Sequence, residues 1–244
     1  MKITTIGMWG GYPEKGEATS SFLVEQDGFS LIVDCGSAVL STLLTMKDVH
    51  ELDAFLISHY HPDHIADVGV LQHAAMIHKQ LGNLHHPIPI YAHAQDSVEF
   101  SKLSYKGVTT GMELEAYASY SIGPFKVSTC PTVHPVYCLA FRIEAAGKAV
   151  VFTADTEWTD ALVTFSQGAN VLVSESNVYP QYAGKIQGHL TGQQAGLLAA
   201  QSGVERLVLT HLPQYGDREI LVAEAKKEFS GPVELAYTKQ QILL

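Results

Sequence analysis

Short apolar runs of strand length, separated by turn residues, dominate the first part of the chain. Residues 2–7, 20–26 and 30–35 read as strands, and Asp27-Gly28 between the second and third is a hairpin turn signal. Over residues 37–46 the period changes, with Val39, Leu40, Leu43 and Leu44 on one helical face. The run Ala54-Phe55-Leu56-Ile57-Ser58 is again a short buried strand, and it ends at His59. Residues 65–79 read as helix and 88–93 as strand. Strands follow at 125–129 and 137–144, and Ala146-Gly147-Lys148 turns the chain into another at 149–153. A helix near 159–165, a strand at 170–174, a helix over 192–202 and a strand at 206–210 complete the clear elements. Thr191 with Gln194 forms a Thr-x-x-Gln capping box at the start of that last helix, and Gly203 suits its end.

No repeat, low-complexity stretch or linker interrupts this pattern, so a single domain over residues 1–244 is expected. The first half reads as hairpin-linked strands and the second as alternating strands and helices. An α/β chain with two sheets packed face to face and helices outside would accommodate both.

Composition changes this picture little. Hydrophobic residues make up 46% and charged residues 16%, an ordinary globular balance. No apolar run reaches the roughly 18 residues of a membrane span. The start at Met1 enters a strand pattern without a secretory apolar stretch, so a cytoplasmic protein with no membrane partner is expected. Cys35, Cys130 and Cys138 are an odd count in apolar surroundings, which suits buried thiols better than disulfides or a redox pair. The net charge of −10 weakens the case for a long nucleic-acid partner, which needs clustered Lys and Arg.

Histidine is more telling. Ser58-His59-Tyr60-His61-Pro62-Asp63-His64 puts three imidazoles and a carboxylate directly after a buried strand. His59 and His61 point the same way from an extended segment, with Tyr60 turned away, and Asp63 and His64 can face a second point as the chain turns. These are donors for Zn²⁺, and they also suit Mn²⁺ or Fe²⁺. A solvated His-rich turn would carry similar residues but would not terminate a buried strand. His134, Asp155 and His211 each follow another apolar run, which places further donors on the same rim.

On these residues the sequence resembles the metallo-β-lactamase superfamily, and within it the ribonuclease Z-like branch. The opening strands with Asp34-Cys35-Gly36 resemble the family's Asp-x-Gly turn, and His59 to His64 its His-x-His-x-Asp-His motif. Gly188-His189-Leu190-Thr191 resembles the branch's additional histidine motif. The resemblance implies a four-layer αββα sandwich of two mixed β-sheets and a hydrolase with two divalent ions, with Zn²⁺ expected. His59, His61 and His134 would hold the first ion and Asp63, His64 and His211 the second, with Asp155 bridging. Asp34 would orient the motif loop without touching metal. Asp63 would orient a metal-bridging water or take its proton, and His189 would assist the leaving group. Glu175 is placed to hydrogen-bond His189. His73 and His78 read as surface or packing residues, His85 and His86 as a loop, and His50 and His93 have no partner pattern.

Enzymes of this branch that mature transfer RNA carry a long arm between the positions matching His134 and Asp155. Here residues 135–154 hold only a strand and a hairpin. A small or cyclic phosphodiester is therefore the expected substrate and RNA the lesser one, in an enzyme expected to be a homodimer. Lactone or thioester hydrolysis on the same metals is the principal alternative, ribonuclease Z-like RNA cleavage another. A flavodiiron-type oxidoreductase would need a flavin domain and an acidic first-motif ligand, and neither is visible.

Overall fold

The computed structural model describes residues 1–244. In chain order its elements begin with strands β1 (Lys2–Gly7), β2 (Ser21–Gln26) and β3 (Phe29–Val33), then helix α1 (Val39–Leu43) and strand β4 (Ala54–Leu56). Helices α2 (Pro62–Ile65) and α3 (Val68–Gln80) precede β5 (Ile88–Ala92), α4 (Ser97–Lys102) and β6 (Thr109–Glu113). The second half runs β7 (Ser119–Ile122), β8 (Phe125–Pro131), β9 (Leu139–Ala145), β10 (Lys148–Phe152), α5 (Asp160–Ser166) and β11 (Val171–Glu175). It closes with α6 (Gly192–Ser202), β12 (Arg206–Thr210), α7 (Glu219–Glu228), β13 (Val233–Leu235) and β14 (Gln241–Leu243).

These strands form two seven-stranded mixed sheets, β14-β1-β2-β3-β4-β5-β6 and β13-β12-β11-β10-β9-β8-β7. Each sheet starts as an antiparallel meander and continues with parallel strands reached through helices. The division expected from sequence, hairpins first and alternation later, is therefore replaced by one scheme used twice. Parallel pairing demands a crossover, and each half supplies its own helices for it.

Period-2 alternation assigns each strand two partners. Phe22 and Val24 of β2, Leu31 and Val33 of β3, and Leu56 of β4 enter the core between the sheets. Leu23, Ile32 and Phe55, pointing the other way, pack in a separate core under the first sheet's helices with Val39, Leu43 and Leu71. Strands buried on both faces read as continuous apolar runs, as these do. The Phe22 and Phe152 rings, with centroids 5.1 Å apart, join the two sheets directly.

Two helices differ from the sequence expectation. The helix expected over 37–46 shortens to α1, because Ala38 takes a left-handed backbone (φ 63°) and the Ser41 and Thr42 hydroxyls donate back to its carbonyl. The helix expected over 65–79 divides into α2 and α3 at Asp67. Its N–H donates to the Cys35 carbonyl, and its carboxylate accepts the Leu40 N–H at 2.9 Å. The capping box at Thr191 and Gln194 is present, and Gly203 ends α6 in the left-handed region.

The helix α7, with Leu221, Val222 and Ala225 buried, and the strands β6, β7, β13 and β14 were not foreseen. So was α4. A β-carbon on Gly196 of α6 would lie 2.3 Å from the Ala225 carbonyl oxygen, so α6 and α7 approach too closely for any side chain there. Gly196→Ala is expected to destabilise the fold by about 1–3 kcal/mol through overpacking. Urea denaturation of the variant against the parent measures this.

Candidate metal centre

Five of the chemically active positions lie just beyond strand ends, whereas Asp63 and His64 sit in α2 and His189 precedes α6. Asp34 follows β3, His59 follows β4, His134 follows β8, Asp155 follows β10 and His211 follows β12. Asp34, Ala154 and His211 have left-handed backbones (φ 59°, 50° and 51°), so the chain turns sharply off three strands at the site. Non-glycine residues take this conformation at a cost of about 1–3 kcal/mol each, offset by the surrounding packing. The turn after β3 also presses against the motif loop. A β-carbon on Gly36 would lie 1.6 Å from the Asp63 carbonyl oxygen, which leaves room only for glycine.

Two groups of donors result. His59, His61, His134 and Asp155 form one, and Asp63, His64, Asp155 and His211 the other, each with its ligand atoms within 4.8 Å of one another. In the first, His61 Nδ1 lies 3.0 Å from His59 Nε2 and 3.1 Å from His134 Nε2. The Gly188 carbonyl accepts from His134 Nδ1 at 3.0 Å, so His134 Nε2 carries a bare lone pair. In the second, Asp34 accepts from His64 Nδ1 at 2.7 Å, so Nε2 is the nitrogen left to face the cluster. That nitrogen lies 3.3 Å from His211 Nε2, 3.4 Å from Asp63 Oδ2 and 3.5 Å from Asp155 Oδ1.

Asp155 is 2% exposed, and its Oδ1 has no hydrogen-bond donor. Lone pairs and carboxylate oxygens facing one another in a buried space repel unless a cation lies among them. The donor set therefore fits divalent metal, and its mixture of imidazole and carboxylate suits Zn²⁺. The shared carboxylate is the one group belonging to both clusters.

Burial and neighbouring charge set the protonation of these groups. Burial pushes His59 well below its ordinary pKa, and it lowers His61 too. Burial opposes ionisation of Asp63 and Asp155, but adjacent His64 and His211 outweigh it and hold both carboxyls well below the usual range. His189 stands at the edge, with its ring centroid 5.3 Å from those of His134 and His211. Its Nδ1 is 3.0 Å from Glu175 Oε1, the contact expected from sequence. Burial disfavours its cation, but the Glu175 carboxylate overcomes this and raises its pKa to about 9.

An open cleft of about 510 Å³ gives access to the donors, lined by His61, Asp63, Asp155, His189 and His211. Gly10, Gly11, Tyr12, Asn177 and Gln214 complete it, and sequence reasoning missed all five. Gly11 N–H donates to Asp63 Oδ2 at 2.7 Å, and Asn177 donates to the His211 carbonyl at 3.0 Å. The Gly10-Gly11 pair between two aromatics was the available signal. The remaining histidines lie elsewhere: His93 packs between Tyr60 and Tyr137, and His50 stacks on His78. His73, His85 and His86 are exposed and line none of this cleft. Tyr60 points away from the donors and donates to the His93 carbonyl at 2.5 Å. All three cysteines are free and buried.

A two-sheet sandwich with histidine and aspartate donors at one edge defines a metallo-hydrolase of the metallo-β-lactamase fold. The chain belongs to the β-lactamase superfamily: a family model described as "Beta-lactamase superfamily domain" matches residues 30–212. It is 44% identical to "Probable metallo-hydrolase YhfI" of Bacillus subtilis (strain 168), over 97% of each chain. The crystal structure of that protein superimposes with a TM-score of 0.97 at 43% identity, covering 99% of this chain and 98% of the other. Ribonuclease Z of Mycobacterium bovis (strain BCG / Pasteur 1173P2) is 29% identical, covering 96% of this chain and 95% of its own. Human tRNase Z, short form, shares the fold with a TM-score of 0.77 at 21% identity, over 100% of this chain and 99% of its own. No helix is long and apolar enough to cross a membrane.

Metal should stabilise the fold, because it relieves the repulsion among these buried donors. Chelation is expected to lower the melting temperature, and Zn²⁺ in hundredfold excess over its Kd to restore about 2.7 kcal/mol. Thermal denaturation with and without added Zn²⁺ tests this, and Asp155→Ala should abolish the metal-dependent shift.

Proposed function

We propose that the protein is a phosphodiesterase that hydrolyses small or cyclic phosphodiesters at a site holding two divalent ions. His59, His61 and His134 would hold one ion and Asp63, His64 and His211 the other, with Asp155 within reach of both. Two such ions supply Lewis acidity towards a phosphoryl oxygen and lower the pKa of a water between them. Zn²⁺ is the first choice, and Mn²⁺ or Fe²⁺ would accept the same donors. Asp63, in the cleft wall, would orient the attacking water and accept its proton.

The observation that carries this reading is His189 standing beside the donors with Nδ1 committed to Glu175. Its Nε2 is then free to give a proton to the departing alkoxide, and an alkoxide leaving a phosphodiester needs one. Beyond His189 a further cavity of about 710 Å³, lined by Glu157, Trp158, Ile186 and Gln194, has room for the leaving group. The ribonuclease names of two relatives also support phosphodiester chemistry.

Charge favours a small substrate over RNA. No lysine or arginine lines the cleft or the cavity beyond His189. The groove on the His61 side adds Asp96 and Glu99. A polyanion depends on clustered cationic side chains along its track. Attack on a lactone or thioester carbonyl by the same ions is the second reading, since the fold alone does not select the electrophile. RNA cleavage of the ribonuclease Z type is the third.

With Zn²⁺ or Mn²⁺ the purified protein should cleave bis(p-nitrophenyl) phosphate. His189→Ala should lower kcat by about 10²–10⁴-fold, the usual range for losing a general acid, with the bound metal unchanged. A screen of cyclic and linear phosphodiesters beside lactones and thioesters identifies the class, and turnover confined to the carboxyl substrates overturns the assignment.

A further inference from the structure

We propose that Ser58 is a positioning residue that extends the hold of one carboxylate, Asp34, to both metal sites. The proposal rests on the two-ion reading above, and it follows from the direction of each hydrogen bond. Asp34 Oδ2 lies 2.7 Å from His64 Nδ1 and 2.9 Å from Ser58 Oγ, while Oδ1 accepts the Ser58 N–H at 2.8 Å. An ionised carboxylate only accepts, so His64 Nδ1 carries the ring hydrogen and the Ser58 hydroxyl gives its single hydrogen to Asp34. The Ser58 lone pairs then face His59 Nδ1 at 3.1 Å. That nitrogen must be the donor, so His59 presents a bare Nε2 towards His61 and Asp155.

One carboxylate thus selects the ligating nitrogen of a histidine in each donor group. It acts on His64 directly and on His59 through the serine hydroxyl. Ser58 and His59 are 0% exposed, His64 1% and Asp34 5%, so bulk water cannot replace any member of the chain. The other polar atom at His59 Nδ1 is Cys138 Sγ at 3.6 Å, a weak acceptor. Without the Ser58 hydroxyl, His59 has no strong acceptor for its Nδ1 hydrogen, whereas His64 keeps its bond to Asp34.

The consequence is an asymmetric defect. Partners of ligand histidines are worth about 10- to 100-fold in metal affinity, so Ser58→Ala should weaken one of the two ions by that factor and leave the other within about threefold. Asp34→Asn should weaken both, and Ser58→Thr, which keeps the hydroxyl, should bind like the parent.

Chelator-competition titration of the full chain with Zn²⁺ measures both affinities. ¹⁵N-histidine NMR of the zinc-loaded protein reads the imidazole N–H signals protected from exchange. Those of His59 and His64 should both be present in the parent, with the His59 signal alone lost in Ser58→Ala and regained in Ser58→Thr. Equal affinities for both ions in Ser58→Ala and parent, with both signals retained, overturn the relay while leaving the two-ion site intact. Equal weakening of both ions by Ser58→Ala overturns it as well. A parent chain that takes up fewer than two ions overturns the two-ion reading, and the relay with it.

Discussion

Asp155 lies buried at the seam between the two sheets, with Oδ1 unpaired and bare imidazole nitrogens on either side. A cluster of so many donor atoms in a low-dielectric interior calls for positive charge among them, from protonated imidazole or from a metal. The two sheets bring its members together from strand ends far apart in sequence, and the surrounding core holds them there. A cation held there would tie the two halves of the molecule together through donors from both sheets.

The repeated scheme of antiparallel meander and parallel crossover explains how so many donors reach one edge. In the parallel part of each sheet successive strands end at the same side, so β3 and β4 deliver Asp34 and His59 together. In the other sheet β10 and β12 deliver Asp155 and His211 to the same edge. Left-handed residues at Asp34, Ala154 and His211 then turn the chain abruptly, which keeps the donor side chains at the rim. The donors and their supports thereby share the stiffness of the strands that carry them.

Around this centre the protein places few charges of the sign a polyanion would need. The cleft is walled by glycine, tyrosine, amide and ligand side chains, and the groove beside His61 is acidic. The positive charge available to an anionic substrate would therefore come from metal held at the donors and from His189, whose cation Glu175 favours. Recognition concentrated at one point suits a single phosphate better than a backbone of them.

The sequence by itself determined the donor chemistry and most of the elements that carry it. The spacing from His59 to His64 is local, and apolar runs mark the strands ahead of His134, Asp155 and His211. The capping box before α6 and the turns at Asp27-Gly28 and Ala146-Gly147 are likewise written in neighbouring residues. The tertiary structure alone decided what depends on contacts between distant segments. It put the Gly11 N–H on Asp63, joined Ser58 to Asp34 and His59, and broke the helix expected over 65–79 at Asp67. Strands as short as β13 and β14 escape detection because three residues hold too little of any period, and only pairing with a neighbour defines them. A hydrogen bond across the sandwich has no period to read, so its partners become evident only when the sheets are packed.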